Sequence, residues 1–449
     1  MIAILKQFAP LGLYLISCAL IFAALTGKTQ WLLYYITGLL PLRNVVDRLQ
    51  PYPLGKDLLD IMIILALLSV IIQGMNSKNN EGKTNYTVVH WVSLMIIAYT
   101  FISVLYGSFY LNEPLLFSIS DVRVQSWKNF SIMPVLFFIT FSAVRDKKTA
   151  WMMVAVMCSS MVLMDYYTGQ QVMWYRNIES RTKIHATFVY LGPNEAAAFY
   201  NTITVVLLGI YFYMKRGLKK IALLALILMN LYIVVFLFSR AAYIGIFLGL
   251  FFLLMFKHRI LLIPLILMAV SWQAVLPEKV IDRIEMTTGD YHELDKSSET
   301  RIMVWQDSLD LFAQSPIFGV GYGVFRKAGF VLGDTHNIYL KILAEQGIIG
   351  MLLFLALLFG FFGSGVELYR TSKDGLSKGL GLGFAVAIIV LAVNNVFGDR
   401  WSYMEVGGYM WIIAALVSRI IIIEKQSQEL VSPVKVKSKR KTLRDELPG

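Results

Sequence analysis

Apolar residues in this chain come in long blocks, not in the two-residue alternation of a half-buried strand. A helix needs about 20 mostly apolar residues to cross the hydrocarbon of a bilayer. Blocks of that kind occupy 8–25, 57–73, 88–111, 129–144, 149–167, 195–214, 218–238, 241–256, 259–276, 347–363, 379–397 and 405–423. The pattern predicts an all-α, polytopic integral membrane protein of about twelve transmembrane helices. The shorter run "WLLYYITGLLPL" (31–42) ends against Pro41 and Leu42 and reads as interfacial or re-entrant. Polar sequence collects between 277 and 336, which predicts one long extracytoplasmic loop. The chain therefore divides into an N-terminal helix bundle (1–276), that loop (277–336), C-terminal transmembrane helices (337–423) and a basic cytoplasmic tail (424–449).

Composition agrees with the pattern. Of 449 residues 57% are hydrophobic and 16% charged, with a mean hydropathy of +0.63, more apolar surface than a soluble fold could bury. The net charge of +12 would suggest nucleic acid in a soluble protein. Here the basic residues sit in loops and in "VKVKSKRKTLR" (434–444), where they read as orientation signals beside anionic membrane lipid, and no nucleic-acid partner is expected. Lys78, Lys83, Arg145, Lys147, Lys148, the run Lys215–Lys220, Lys257–Arg259, Arg370, Lys373 and Lys378 mark the cytoplasmic loops. An even number of spans then puts both termini on that side. Cys18 and Cys158 fall inside apolar blocks, which argues against a structural disulfide or a metal cluster. No cleavable secretory signal is apparent, since the first block lacks a small-residue cleavage site.

Charges on the opposite face need another explanation, because cations are disfavoured there. Arg240, in "VVFLFSRAAYIGIFLGL" (234–250), is the sole charge between Ile221 and Phe256. An ionisable group at such depth costs roughly 2.5–3.5 kcal/mol and points to a cavity or a partner. It reads either as an arginine snorkelling to the headgroups or as an anion ligand, for which a planar, permanently charged guanidinium suits phosphate oxygens. In "YRNIESRTKIHATFVYLGPNEAAAFYN" (175–201), Arg176, Arg181 and Lys183 form a basic approach to a helix that Asn194 is placed to cap. The long loop holds an amphipathic run with Ile302, Trp305, Leu309 and Phe312 on one face, expected to lie over the bilayer or the bundle mouth. "GVGYG" (319–323) lacks the Lys-Ser/Thr ending of a phosphate loop and reads as a glycine turn that lets the loop double back. In "GDTHNIYLKILAEQGIIG" (333–350), Asp334 or Thr335 is the expected helix cap. His336 beside it is either a plain helix-start residue or a base able to take a proton from an attacking hydroxyl.

Read together, "FSRAAYIG", "ATFVYLGPNEAA", "SPIFGVGYGVF" and "DTHNIYLKILAEQGIIG" resemble, in order and with the same long outer loop, the landmarks of the O-antigen ligase/polymerase family. The likeness spans about 175–365; in the first half only the span count agrees. Ala186 stands where the family usually has glycine before "TF", and Tyr322 where many members carry proline. The resemblance implies a membrane glycosyltransferase in the bacterial inner (cytoplasmic) membrane, its active site facing the periplasm. Its donor would be a glycan on undecaprenyl pyrophosphate. The acceptor would be lipid A core in a ligase, or a second lipid-linked glycan in a polymerase of O-antigen, exopolysaccharide or capsule. Inverting chemistry without metal or cofactor is implied, with membrane lipids and a polysaccharide chain-length regulator as further partners. Carried onto this chain, His336 is the catalytic base, Arg240, Arg181 and Arg176 hold the pyrophosphate, and Arg301 and Asn194 contact glycan or acceptor.

Other chemistries find no motif: H-E-x-x-H, C-x-x-C and D-x-D are absent, and "HELD" (292–295) reads as solvated loop. The rival class is a transporter or flippase of lipid-linked oligosaccharide. It predicts ionisable groups at span centres and two similar halves with interrupted helices, whereas here the notable charges lie at span ends and no repeat is visible. A structural partner of a polysaccharide assembly complex is a third reading.

Overall fold

A computed structural model describes residues 2–76, 86–115, 120–175, 191–285, 296–327 and 334–431. Among them the regular structure is helical, with no strand. The helices are α1 (Ile2–Leu25), α2 (Thr29–Leu39), α3 (Arg43–Asp47), α4 (Leu58–Asn76), α5 (Val88–Tyr110) and α6 (Val122–Ala143). There follow α7 (Lys147–Trp174), α8 (Pro193–Tyr213), α9 (Leu218–Phe236), α10 (Arg240–Lys257), α11 (Leu262–Val270) and α12 (Trp272–Val275). The last six are α13 (Glu278–Glu285), α14 (Lys296–Gln314), α15 (Val324–Lys327), α16 (Ile338–Thr371), α17 (Gly375–Asn394) and α18 (Met404–Val431).

The chain is an all-α polytopic membrane protein. Ten of the described helices are long and apolar enough to cross a bilayer: α1, α4, α5, α7 to α10 and α16 to α18. The remaining two predicted blocks differ from these. Block 129–144 lies within α6, whose first turns carry Arg123, Gln125 and Lys128 and so dilute its apolar character. Block 259–276 is broken: the 3-10 turn Arg259–Leu261 and α11 end at Ser271, whose N–H and hydroxyl both bond back to the Leu267 carbonyl, at 2.9 and 2.7 Å.

The 31–42 segment is where the structure corrects the sequence reading. The Tyr14 hydroxyl donates to the Pro53 carbonyl, and the Ser69 hydroxyl to that of Ala24, so α1 and α4 run parallel. Consecutive spans joined by an interfacial segment would be antiparallel. The chain from Thr29 to Asp57 therefore returns from one side to the other, with Thr29 held by Ser69 and Gln73 at one end and the Thr37 carbonyl accepting from Tyr409 farther along. Pro41, which has no N–H to donate, separates α2 from α3 on the way. Asp60 pairs with Lys128 and Gln73 bonds Arg145, so α6 is parallel to α4; Gly407 lies against Met133 and Arg419 bonds the Val144 carbonyl, so α18 is parallel to α6. With that extra passage, the start of α1 and the end of α18 lie on opposite sides, whereas an even number of spans would put them on one.

At the centre lie α8, α17 and α18. The most apolar stretch of α18 is 89% buried, that of α1 11%. Glycine makes the central contacts close. A Cβ on Gly209 of α8 would strike the backbone of Gly379 and Gly383 on α17, while Gly381 on the next face of α17 meets Gly365 of α16. Small residues are what allow helix backbones to approach in lipid, where no hydrophobic effect drives them together.

The described residues of the long loop are largely helical. α14 docks over the bundle mouth through Val304, Ser308 and Leu311, which close a small core with Val320, Val324, Phe325 and Ala344. Its position over the bundle mouth is one of the two expected from the sequence, while Ile302 and Leu309 of the amphipathic face are 41% and 49% exposed.

Candidate functional site

The two motifs of the long loop form one structure. Helix α16 is interrupted at Gly347, where φ is +63° and ψ is −163°. Such a break frees backbone groups that the regular i to i−4 pattern would satisfy. The "SPIFGVGYG" segment supplies their partners: Val320 N–H donates to the Ala344 carbonyl and Gly321 N–H to that of Glu345, each at 2.9 Å, and Ile348 N–H donates to the Pro316 carbonyl. The Tyr99 and Ser103 hydroxyls of α5 reach the Gln346 and Glu345 carbonyls from the other side, at 2.6 and 3.2 Å. Glycine is required where the strands of this clasp touch, because a Cβ on Gly347 would overlap the Ile317 carbonyl and one on Gly319 the Glu345 backbone.

This clasp fixes the short first part of α16, Ile338–Gln346, against the bundle. Its cap is Asn337, not Asp334 or Thr335: the Asn337 side chain accepts from Tyr339 N–H and Leu340 N–H. Thr335 is fully buried and its hydroxyl donates to the Asn337 carbonyl at 2.8 Å, pinning the entry turn. His336 sits between them at φ +51°. A non-glycine residue in that region stores of order 1–3 kcal/mol of strain and recurs at functional sites.

Lys341 and Glu345 follow one turn apart on one face of α16. The Lys341 ammonium pairs at 2.7 Å with Asp399, which is 3% exposed and also accepts from Ser402 N–H. Glu345 is buried and accepts from Phe325 N–H; its second oxygen has no hydrogen-bond partner. Asp399 belongs to the connection between α17 and α18, anchored by Trp401 against Phe354, Phe361 and Trp411. The next residue, Arg400, is 4% exposed and pairs with Glu195 in the first turn of α8. Around these groups lies a cavity of about 500 Å³, lined among others by Ser126, Tyr322, His336, Lys341, Glu345 and Tyr403.

Electrostatics at the cavity mouth favour a neutral imidazole. Burial lowers the His336 pKa from its ordinary value, and Arg301 and Arg400 push the same way, while Asp334 and Glu195 oppose them. The nearest carboxylate oxygen, on Asp334, is 3.7 Å from Nδ1, beyond hydrogen-bond length. Asp399 differs: burial, the largest single influence, would raise its pKa, but the charge and hydrogen bond of Lys341 and the bonds from Ser402 together outweigh it and hold the carboxyl below the usual range.

Of the residues singled out from sequence, His336 lines the cavity and Arg301 acts on it electrostatically. Asn194 neighbours Glu195 at the start of α8. Arg240 opens α10 after Phe238, a buried residue at φ +51°, and is half-buried; it is not among the residues lining the cavity. Arg176 and Arg181 lie outside the described residues, as do Ala186 and "HELD". Among the described residues no group of three or more His, Cys, Asp or Glu could hold a metal ion.

Sequence reading missed Lys341, Glu345, Asp399 and Arg400. The signal was present: "GDRW" (398–401) places two charges between apolar blocks, the feature that drew notice to Arg240. Residues 337–346 precede the apolar block 347–363, so no apolar block draws attention to the i to i+4 spacing of Lys341 and Glu345.

Residues 222–355 match the family model of the O-antigen ligases. The match takes in Arg240, Arg301, the glycine clasp, His336, Lys341 and Glu345, and stops short of Asp399 and Arg400. No curated protein matches the chain.

Proposed function

Proceeding from that family, whose members join glycans at a membrane, we propose that this protein transfers glycan from undecaprenyl pyrophosphate to an acceptor hydroxyl at the outer face of the bacterial cytoplasmic membrane. The observation that carries the reading is His336, held in a strained conformation on the wall of a charged cavity, where burial and two arginines lower its pKa.

In the proposed step the acceptor O–H gives its proton to a ring nitrogen of His336 as its oxygen attacks the anomeric carbon. The bond from that carbon to the pyrophosphate oxygen breaks with inversion, and undecaprenyl pyrophosphate leaves. The leaving group is already activated and needs charge stabilisation more than protonation, so the chemistry needs no metal and no general acid. Arg240, Arg181 and Arg176 take that charge; Arg301 and Asn194 contact glycan or acceptor. Lys341 with Asp399 and Arg400 with Glu195 are charge pairs near neutrality, which shape the cavity without competing for the diphosphate.

The test uses purified protein in liposomes with an undecaprenyl-pyrophosphate oligosaccharide, offered alone or with a lipid A core acceptor, and mass analysis of the lipids. Longer lipid-linked glycans from donor alone identify a polymerase; product only on lipid A core identifies a ligase. A donor that changes leaflet without any new glycosidic bond overturns the reading in favour of a flippase.

A further inference from the structure

A second and larger cavity lies far from the His336 site in sequence and is built by α1, α2, the start of α3 and α7. It holds about 970 Å³ and is lined by Leu13, Leu20, Leu39, Leu42, Met152 and Val156, with further apolar groups between them. On α7 its lining runs from Lys148 to Leu163, roughly 22 Å at 1.5 Å per residue, most of the thickness of a hydrocarbon core. No described side chain fills this slot, and its walls offer little to a polar ligand.

One end is different. Gln30, Asp146, Lys148 and Thr149 line the rim, and Trp31 stands there 54% exposed with its ring against Tyr34, the arrangement of a headgroup-level aromatic. Lys28, two residues before Gln30, and Lys148 are both exposed, and neither has an ion-pair partner among the described residues. Their basic neighbours are already engaged: Arg145 bonds Gln73 and Lys147 pairs with Glu424. Asp146, the one acid at the rim, accepts from Thr149 N–H as the cap of α7. Lys148 thus lines the rim of a long apolar slot, and Lys28 precedes the rim residue Gln30 by two positions, on the side of the bundle where the basic loops collect.

We propose that this groove binds an anionic phospholipid, its phosphate between Lys28 and Lys148 and an acyl chain along α7. Charge and depth select the ligand together. A free phosphate would leave the slot empty, and a zwitterionic lipid would gain nothing from the second cation. The groove and the His336 cavity share no lining residue, so this site stands apart from glycan transfer.

The experiment is native mass spectrometry of the full chain, delipidated in detergent and titrated with phosphatidylglycerol or phosphatidylcholine. One phosphatidylglycerol should be retained in preference to phosphatidylcholine. Lys28→Ala and Lys148→Ala should each weaken it about fivefold, while Lys215→Ala at another exposed basic turn leaves it unchanged. Met152→Trp, which fills the slot from an exposed position, should remove the adduct with both lysines intact. Equal retention of the two lipids, an adduct insensitive to the lysines, or a protein dimer in place of the adduct would each overturn the proposal.

Discussion

Lys341 and Asp399 meet at 2.7 Å across the His336 cavity, joining the first turn of α16 to the connection between α17 and α18. The pair ties the histidine's own helix to a loop nearly sixty residues away, and among the described residues neither partner forms a second ion pair. Removing one partner leaves the other buried, which costs about 3–5 kcal/mol. Lys341→Met should therefore lower the unfolding temperature in detergent sharply, and Lys341→Met with Asp399→Asn should recover most of the loss. Equal unfolding temperatures for the single and double variants would show that the pair is not coupled.

A base with a lowered pKa stays deprotonated further into acid. Transfer should fail only as pH drops through the His336 value, so the acid limb of the rate profile lies below the 6.5 of an ordinary histidine. Arg301 helps to lower that value, so Arg301→Gln moves the limb upward. Asp334 raises it, so Asp334→Asn moves the limb downward. Shifts in the opposite directions would remove His336 from the role of base. His336→Ala should abolish transfer while inserting normally.

Arg240→Ala should also insert normally and lose glycan transfer, measured as product lipid in liposomes. Lys28→Ala, on the other side of the bundle, should transfer like the wild type. Because Arg240 does not line the cavity, a loss there would indicate that the donor's diphosphate extends beyond it toward the start of α10.

Gly347→Ala introduces a side chain at φ +63° directly into the Ile317 carbonyl. The strain alone is about 1–3 kcal/mol, and relief requires the glycine clasp to open. Limited proteolysis should then cut between Ser315 and Lys327, where the wild-type chain resists. Gly363→Ala, in the same helix with open space around it, should behave as wild type.

Much of the fold was legible because burial in lipid leaves a coarse signature: long apolar blocks mark helices whatever their packing. Ten of the twelve predicted blocks are helices of the right length and apolarity. What escaped depended on partners distant in sequence. Whether 31–42 crosses is decided by Tyr14 on Pro53 and Ser69 on Ala24, contacts that no local pattern encodes. The amphipathic run of α14 was visible as periodicity, yet its docking face was set by the core that Val320, Val324 and Phe325 offer. At the site, His336 stood out because its chemistry is rare in apolar sequence. Lys341 and Asp399 did not, since each looks like an ordinary end-of-span charge until the fold brings them together.

The parallel course of α1, α4, α6 and α18 bears on how the chain is made. With the His336 site facing outward as proposed, a first helix that runs in the same direction as the last is threaded with its leading end exported and its trailing end held back. Lys28, just past the end of α1, is the charge that can hold it. A reporter active only outside the cytoplasm should accordingly light up when fused ahead of α1 and stay dark when fused behind α18.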